Sequence, residues 1–251
     1  PRLGCAEDVE AITPQQLTRH WQEVLTGSRV ELFYAGRRAP QEVAKSFARV
    51  FAGHAPVRAA EVGTKPHPKP TRLRVITEEM DVTQGKLVIG LHTGILGTDP
   101  DYPALTLLNA VLGSGMTSKL FVNVREKRSL CYYASSAVER YKGIMQISSG
   151  IEFDKYETAK NAIFHELDEC RQGRITEAEL ESARRGVVSA LRSALDVPAR
   201  LDDYYLGNAV AGGDRVETLL EKIPALTKDD LVRAAQRITP DTVYFLKGVQ
   251  A

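Results

Sequence analysis

The chain has 251 residues, 43% of them hydrophobic, and its 33 Lys plus Arg residues nearly balance 32 Asp plus Glu. This composition supports one or two globular domains, and it excludes the basic field that attracts nucleic acid or acidic membranes. No apolar run reaches the roughly 18 to 20 residues that cross a bilayer, and the three widely spaced cysteines do not resemble a disulfide framework, so we expect a cytoplasmic protein that binds neither nucleic acid nor membranes.

The first elements along the chain are repeated near its end. Residues 12–36, ITPQQLTRHWQEVLTGSRVELFYAG, align with residues 226–248, LTKDDLVRAAQRITPDTVYFLKG. In each copy a threonine precedes a helix, Gln16 or Asp230 lies three residues further on as in a capping box, and an apolar strand follows. The repeat suggests two homologous halves. Because the first copy has little in front of it and the chain opens without methionine, we expect most of the first half to lie upstream of Pro1.

A proline-rich segment separates the two predicted units. Residues 40–52 are predicted to form a helix that closes the first unit, and four prolines then mark a linker. We therefore divide the chain into the C-terminal remnant of a first half at residues 1–53, a linker at 54–70 and a second half at 71–251.

The second unit begins with strand-forming sequence. A strand is predicted at KLVIGLHTG, residues 86–94, followed by a helix at 101–113 and a shorter helix within GSGMTSKLFVNVREK. The stretches CYYASSAVE and IMQISSGI are predicted to be strands joined by the hairpin turn RYKG.

The rest of the second unit is predicted to be mostly helical. An apolar stripe predicts a helix that ends at Gly173, and Thr176 with Glu179 forms a capping box for the next helix. Helices at 198–211 and 215–223 then precede the repeated helix and the final strand. Strands followed by helices predict an α+β fold in which helices cover one face of a sheet.

The five histidines give no zinc signature. Neither H-E-x-x-H nor H-x-x-E-H occurs in the chain. His165 and Glu169, one helical turn apart, would hold one edge of a metal site, but an exposed helix face is the more ordinary interpretation of this pair. His54 and His67 fall in the linker. We therefore assign no metal ligand to this chain.

Other catalytic motifs are missing as well. GSGMTSK, residues 113–119, lacks the spacing of a phosphate-binding loop and is interpreted as a turn between two helices. No G-x-S-x-G motif occurs, and no cysteine has a histidine nearby in sequence to activate it.

The remaining candidates are Arg125 and Tyr132, in the stretch FVNVREKRSLCYYASS. A guanidinium is a planar charged donor, and a tyrosine hydroxyl is a neutral donor that can stabilise a developing oxyanion. Across a helix-to-strand junction the two side chains can converge on one point. The residues alone leave a second interpretation open, in which the arginine is solvated surface and the tyrosine is a half-buried packing residue.

Two stretches of the chain resemble a known family. The run GSGMTSKLFVNVREKRSLCYY resembles the second half of the pitrilysin/insulinase family of zinc peptidases, which includes the mitochondrial processing peptidase subunits. A later run is similar to the helical hairpin of that family: ITEAELESARRGVVSALRSALDVPARLDDYYL. The resemblance implies a mitochondrial-processing-peptidase-like (LuxS/MPP-like metallohydrolase) fold of two homologous α+β halves, the first truncated here. In the family the first half binds zinc, and the second supplies an Arg and a Tyr that bind the substrate backbone and stabilise the tetrahedral intermediate. These match Arg125 and Tyr132 as catalytic and substrate-binding residues, with Tyr133 as the alternative substrate-binding tyrosine.

The chain departs from the family pattern because it has no zinc motif. The chain most resembles a bacterial branch of the family that lacks the zinc site and works beside a zinc-bearing partner. This resemblance lies in the stretches REKRSLCYYASS, GIMQISSGIE and TPDTVYFLKG. The resemblance therefore implies no cofactor in this chain, zinc on a partner half or subunit of a homo- or heterodimer, and peptides or unfolded polypeptides as substrates. Two alternatives stay open: the chain is the C-terminal part of a complete zinc peptidase, or it belongs to an inactive family member that acts as a scaffold or assembly factor.

Overall fold

The computed structural model of the chain describes residues 4–53 and 65–249, which belong to two compact units. His54 and most of the predicted linker lie outside the described residues. The assignment of residues 1–53 to a first homologous half and of 71–251 to a second stays a prediction.

The described part of the first unit contains three helices, α1 (Ala6–Glu10), α2 (Pro14–Gly27) and α3 (Pro40–Val50). Thr13 caps α2: its hydroxyl accepts a hydrogen bond from the Gln16 N–H group, and the Gln16 side chain accepts one from the Thr13 N–H group in return. The predicted capping box is therefore confirmed. Residues 29–36, which lie within the described part of this unit, are assigned no strand, so the strand predicted for the first copy is not found.

The second unit is built on one five-stranded sheet. Its strands are β1 (Arg74–Met80), β2 (Gly85–His92), β3 (Tyr133–Glu139), β4 (Ile144–Ile151) and β5 (Thr239–Gly248). Their order across the sheet is β1-β5-β2-β4-β3. The β1 strand runs parallel to β5, and every other neighbouring pair is antiparallel. The β1 strand was not predicted from the sequence.

The helices of the second unit follow the predicted order. They are α4 (Tyr102–Leu112), a π-helix (Leu120–Glu126), a 3₁₀ turn (Phe153–Lys155), α5 (Tyr156–Arg171), α6 (Glu177–Leu195), α7 (Pro198–Ala211), α8 (Val216–Ala225) and α9 (Lys228–Arg237). The capping boxes predicted for α6 and α9 are both present. None of the helices in the described ranges is both long enough and apolar enough to cross a membrane.

The core lies between one face of the sheet and this layer of helices. Along β2, Leu87, Ile89 and Leu91 are at most 1% exposed, whereas the residues that alternate with them are partly or fully exposed. This period of two is the pattern of a sheet with one covered face. The α4 helix is apolar on most of its surface and almost wholly buried, as expected for a helix packed on several sides. The α+β fold class with helices on one face is therefore confirmed.

Candidate functional site: a cavity beside Arg125 and Tyr132

Arg125 lies in the last turn of the π-helix Leu120–Glu126. Its Nε–H group donates a hydrogen bond of 2.8 Å to the backbone carbonyl oxygen of Tyr132. Its Nη1 atom lies 2.5 Å from a carboxylate oxygen of Glu126, and its guanidinium carbon lies 4.7 Å from the centre of the Phe121 ring. These contacts fix the direction of a side chain that is otherwise 38% exposed.

The short helix predicted before Arg128 is a π-helix, Leu120–Glu126, and its wider turns determine where the helix ends. The N–H group of Lys127 donates to the Val122 carbonyl oxygen five residues back, at 3.0 Å. Wide turns of this kind are rare in helical segments and are found frequently at functional sites. Directly after the π-helix, Ser129 has a φ of 49°, in the left-handed region that side-chain-bearing residues seldom adopt. The chain therefore reverses sharply and brings residue 132 back beside Arg125.

Tyr132 lies just before β3 and already pairs with the sheet. Its N–H group donates to the Gly150 carbonyl oxygen at 2.8 Å, which holds its backbone against β4. The residue is 58% exposed, so its phenol is not sealed inside the core. Tyr132 and Arg125 line the same cavity, which has a volume of about 320 Å³. The structure thus brings together the two side chains that the sequence singled out.

Tyr133 is placed differently from its neighbour. It pairs with Gly150 across β3 and β4, and a Cβ atom built on Gly150 would lie 2.5 Å from the Tyr133 Cε1 atom. The Tyr133 ring therefore covers Gly150 on the face of the sheet to which both residues point. Successive strand residues point to opposite faces, and Tyr133 is not among the residues that line the cavity. Of the two tyrosines, Tyr132 is the one that shares a cavity with Arg125.

Cys131 also lines the cavity, but its thiol is not activated. Burial raises the pKa of the Cys131 thiol above its ordinary value, and the smaller opposing effects of a hydrogen bond with Ser149 and the charge of Arg125 do not offset this. Burial likewise raises the pKa of Cys170, to about 12. Both thiols therefore stay protonated at neutral pH, and neither is a thiolate nucleophile.

Sequence reasoning missed three charged residues of this cavity, Glu126, Glu152 and Lys155. Lys155 occupies the N-cap position of α5 without making a capping hydrogen bond. Capping positions favour Ser, Thr, Asp or Asn, and the positive end of a helix disfavours a cation. A lysine directly before the apolar stripe of α5, where Ser, Thr, Asp or Asn is usual, is the sequence signal by which Lys155 could have been found.

The histidines in the described ranges do not assemble a zinc site. His165 Nε2 lies 3.9 Å from Glu169 Oε1, and the same carboxylate oxygen accepts a 2.7 Å hydrogen bond from Arg174. The hydrogen bond from Arg174 is the main reason why the pKa of Glu169 is lowered. Within residues 4–53 and 65–249, no group of three or more His, Cys, Asp or Glu side chains is arranged to hold a metal ion. The described residues therefore offer no ligand set for zinc, and the zinc ion that the resemblance assigns to a partner half or subunit stays a prediction.

His67 belongs to a different cluster. Its Nε2 atom lies 2.5 Å from Asp241, which also accepts a 2.9 Å hydrogen bond from Arg74. His92 donates through Nε2 to the His67 carbonyl oxygen at 3.1 Å. These contacts attach the last part of the predicted linker to the sheet.

Comparison with known proteins identifies the family. The model of the peptidase M16 inactive domain matches residues 11–187, and the chain belongs to this family. The resemblance to the pitrilysin/insulinase peptidases is therefore confirmed. The chain is 33% identical over 248 residues to the "Probable inactive metalloprotease YmfF" of Bacillus subtilis, covering 98% of this chain and 58% of that protein. It is 24% identical over 248 residues to an "Uncharacterized zinc protease" of Streptomyces coelicolor, covering 94% of this chain and 53% of that one.

Solved structures agree on the fold. A conserved protein from Enterococcus faecalis superposes with a TM-score of 0.90 at 26% identity, over 100% of this chain and 59% of that one. A peptidase M16 inactive domain from Pseudomonas fluorescens gives a TM-score of 0.76 at 20% identity, over 99% of this chain and 60% of that one. The chain thus spans between about half and three fifths of the length of these relatives.

Proposed function

We propose that the second unit of this chain is the substrate-binding, non-zinc-binding half of a pitrilysin-type peptidase. In this proposal Arg125 and Tyr132 act on a peptide whose cleavage needs a zinc site on another half or subunit. The chain alone then binds substrate without cleaving it, and peptide-bond hydrolysis belongs to the assembled protein.

One observation carries the proposal: Arg125 and Tyr132 line the same cavity, and Arg125 is held by a hydrogen bond to the main chain of Tyr132 rather than to its phenol. The Tyr132 hydroxyl makes no hydrogen bond to a described residue, so it can meet a ligand. The Nη2 atom of Arg125 makes no hydrogen bond to the described residues. Two donors, one charged and one neutral, therefore line a cavity that can receive part of a peptide.

The chemistry of these donors suits peptide hydrolysis. When water attacks a peptide carbonyl, negative charge develops on its oxygen, and donors already aimed at that position stabilise the transition state. Tyr132 supplies an uncharged O–H group for the oxyanion. Arg125 binds a neighbouring carbonyl of the substrate backbone and orients it. Neither residue can supply the attacking water.

The test uses the complex that the full-length protein forms in its own cells, isolated through an affinity tag. Its peptidase activity is measured on short unfolded peptides. Tyr132→Phe is expected to lower kcat about 100- to 1000-fold, the usual effect of removing one oxyanion donor. Tyr133→Phe is the matched control, since it removes a hydroxyl from the adjacent tyrosine outside the cavity, and it is expected to leave kcat unchanged. Equal turnover for Tyr132→Phe and the wild type would remove Tyr132 from the mechanism.

A second candidate function is a scaffold that has kept the fold and lost cleavage. The name of the Bacillus subtilis relative, a probable inactive metalloprotease, favours it, whereas the zinc protease name of the Streptomyces relative favours a complete peptidase. An isolated complex with no peptidase activity, at stoichiometric zinc, would support the scaffold. Activity of the full-length protein without any partner would show that its own upstream part carries the zinc site.

A further inference from the structure

We propose that the cavity beside Arg125 and Tyr132 is a carboxylate-binding subsite in which Lys155 selects peptides carrying an acidic group. This inference rests on the proposed function, because it assumes that a peptide enters the cavity. It goes further by naming the chemistry of the substrate.

The two cations that line the cavity differ in their contacts with the described residues. Arg125 is bound to Glu126 and to the Tyr132 carbonyl oxygen. Lys155, by contrast, makes no ion pair and no side-chain hydrogen bond with any described residue, although it lines the same cavity. Among the described residues that line the cavity, Lys155 is the cation without a partner, and its ammonium group has three donors and no acceptor.

Glu152 also lines the cavity, and its negative charge opposes the effect of Lys155 on an anionic ligand. It is an exposed residue, whereas Lys155 is only partly exposed. Solvent screens an exposed charge more strongly than a partly buried one, so the lysine has the larger effect on a ligand inside the cavity. Glu126 is also exposed, and its charge is already balanced by Arg125. The cavity therefore favours an anionic group over a cationic one.

Lys155 ends the 3₁₀ turn Phe153–Lys155 and directly precedes α5, at a position where a cation is disfavoured. It lies at the N-cap of the 16-residue helix α5, where its backbone is already helical and its side chain makes no cap. A residue that breaks local preferences without a structural return is typical of a functional site. Lys228 offers a contrast, because it begins α9 under the complete capping box of Thr227 and Asp230.

The size of the cavity limits what it can hold. A volume of about 320 Å³ is at the lower end of the range for ligand pockets. It accommodates one side chain or one chain end of a peptide. The carboxylate can come from a Glu or Asp side chain or from the C-terminus of the substrate, and the two sources present the same group to Lys155.

The test measures equilibrium binding of the full-length protein to ten-residue peptides by anisotropy, with an uncharged BODIPY dye as the label so that the label adds no carboxylate. The reference peptide has no carboxylate, with Gln throughout the scanned positions and a C-terminal amide. A second set carries one Glu at each position in turn, and a third form has a free C-terminus. Wild-type protein is expected to bind one of the acidic forms about 10-fold more tightly than the reference, the effect of a partly screened charged hydrogen bond. The form that gains affinity identifies the source of the carboxylate.

Lys155→Gln is expected to abolish this preference while leaving affinity for the reference peptide unchanged. Lys228→Gln is the matched control, since it removes a partly exposed lysine that makes no ion pair with a described residue and lies at the start of another helix. This variant is expected to keep the preference. Removing a cation from the positive end of a helix does not weaken the helix, so both variants should fold with an unchanged or higher Tm.

Several results would overturn the inference: equal affinity of the wild type for all peptides, a preference that survives Lys155→Gln, or a preference that Lys228→Gln also removes. The proposed function is tested separately by Tyr132→Phe. An active complex that depends on Tyr132 but binds acidic and neutral peptides equally would reject the carboxylate subsite alone. A complex whose turnover does not depend on Tyr132 would reject the proposed function.

Discussion

The Nε–H group of Arg125 donates a 2.8 Å hydrogen bond to the backbone carbonyl oxygen of Tyr132. This bond joins the end of the π-helix to the start of β3, and it spans a turn in which Ser129 has a φ of 49°. The Arg125 guanidinium is thereby held beside Tyr132 through the backbone of that residue, and this hydrogen bond does not involve the Tyr132 hydroxyl. A helix end and a strand start, rather than two loops, position the candidate site, and sites on such elements are the more precisely held.

Replacement of Gly150 tests the position of Tyr133. A methyl group at residue 150 would lie 2.5 Å from the Tyr133 Cε1 atom, so Gly150→Ala must displace the ring. We expect a loss of about 1 kcal/mol in the free energy of unfolding, measured by urea denaturation, because the partly exposed ring can swing aside. In the Tyr133→Ala background the same substitution should cost much less. Equal costs in the two backgrounds would contradict the placement of Tyr133 over Gly150.

The ion pair between Arg237 and Asp99 predicts a pH-dependent contribution to stability. The guanidinium meets both carboxylate oxygens, at 2.8 and 3.2 Å, and the Asp101 N–H group donates to one of them at 2.9 Å. Burial tends to raise the pKa of Asp99, but the hydrogen bonds from Arg237 and Asp101 and the charge of Arg237 outweigh it, and the pKa is lowered.

Because the folded-state pKa lies below the ordinary value, the Asp99 carboxylate stabilises the fold above about pH 4, and this stabilisation is lost as the pH falls through the lowered pKa. Asp99→Asn should therefore cost about 1 kcal/mol at pH 7 and progressively less below pH ~4, as measured by urea denaturation across this range. Asp203→Asn, at an exposed carboxylate with no ion pair among the described residues, serves as the control and should show little effect at any of these pH values. A cost for Asp99→Asn that stays constant down to pH ~2 would contradict the assignment.

The capping box of α9 predicts that the free energy of unfolding depends on the hydroxyl group of Thr227. The Thr227 side chain accepts from the Asp230 N–H group, and the Asp230 carboxylate accepts from the Thr227 N–H group at 2.8 Å. Thr227→Ala should lower the free energy of unfolding by about 1 kcal/mol. Thr227→Ser keeps the hydroxyl and should lose only a small part of this. Unfolding curves that coincide for the alanine variant and the wild type would show that this cap does not stabilise the helix.

Features set by neighbouring residues were predictable from the sequence. The capping boxes at Thr13, Thr176 and Thr227 are present as predicted, because a cap depends on residues three positions apart. The apolar stripe of α5 was found for the same reason: Ala159, Ile163, Leu167 and Cys170 are buried on one face. The order of strands and helices in the second unit followed from these local signals.

Features that depend on distant residues were missed. The β1 strand is exposed along its whole length and contains the polar run Thr77 to Glu79, so no alternating pattern marks it. Its strand geometry comes from parallel pairing with β5, more than 160 residues away in the chain. The reverse error occurred at residues 29–36, where strand-like sequence is assigned no strand in the described part of the chain. A strand is defined by its partner, which propensity does not reveal.

The candidate site was only half predictable. Arg125 and Tyr132 were recognised through a family pattern, because the residues alone favoured a surface arginine and a packing tyrosine. The π-helix and the left-handed Ser129, which bring the two together, have no distinct signature in single sequences. Lys155 is separated from Tyr132 by the whole β3–β4 hairpin, and only the folded sheet brings it to the same cavity.

The central claim is that Arg125 and Tyr132 act as one unit on a bound peptide. A double-mutant cycle on kcat/KM tests it most directly, with the native complex of the full-length protein carrying Arg125→Gln, Tyr132→Phe or both. Residues that act as a unit are strongly non-additive. We expect each single variant to lose about 100-fold or more and the double variant to lose little beyond the worse single variant. Losses that multiply, or a single variant with wild-type kcat/KM, would contradict the claim.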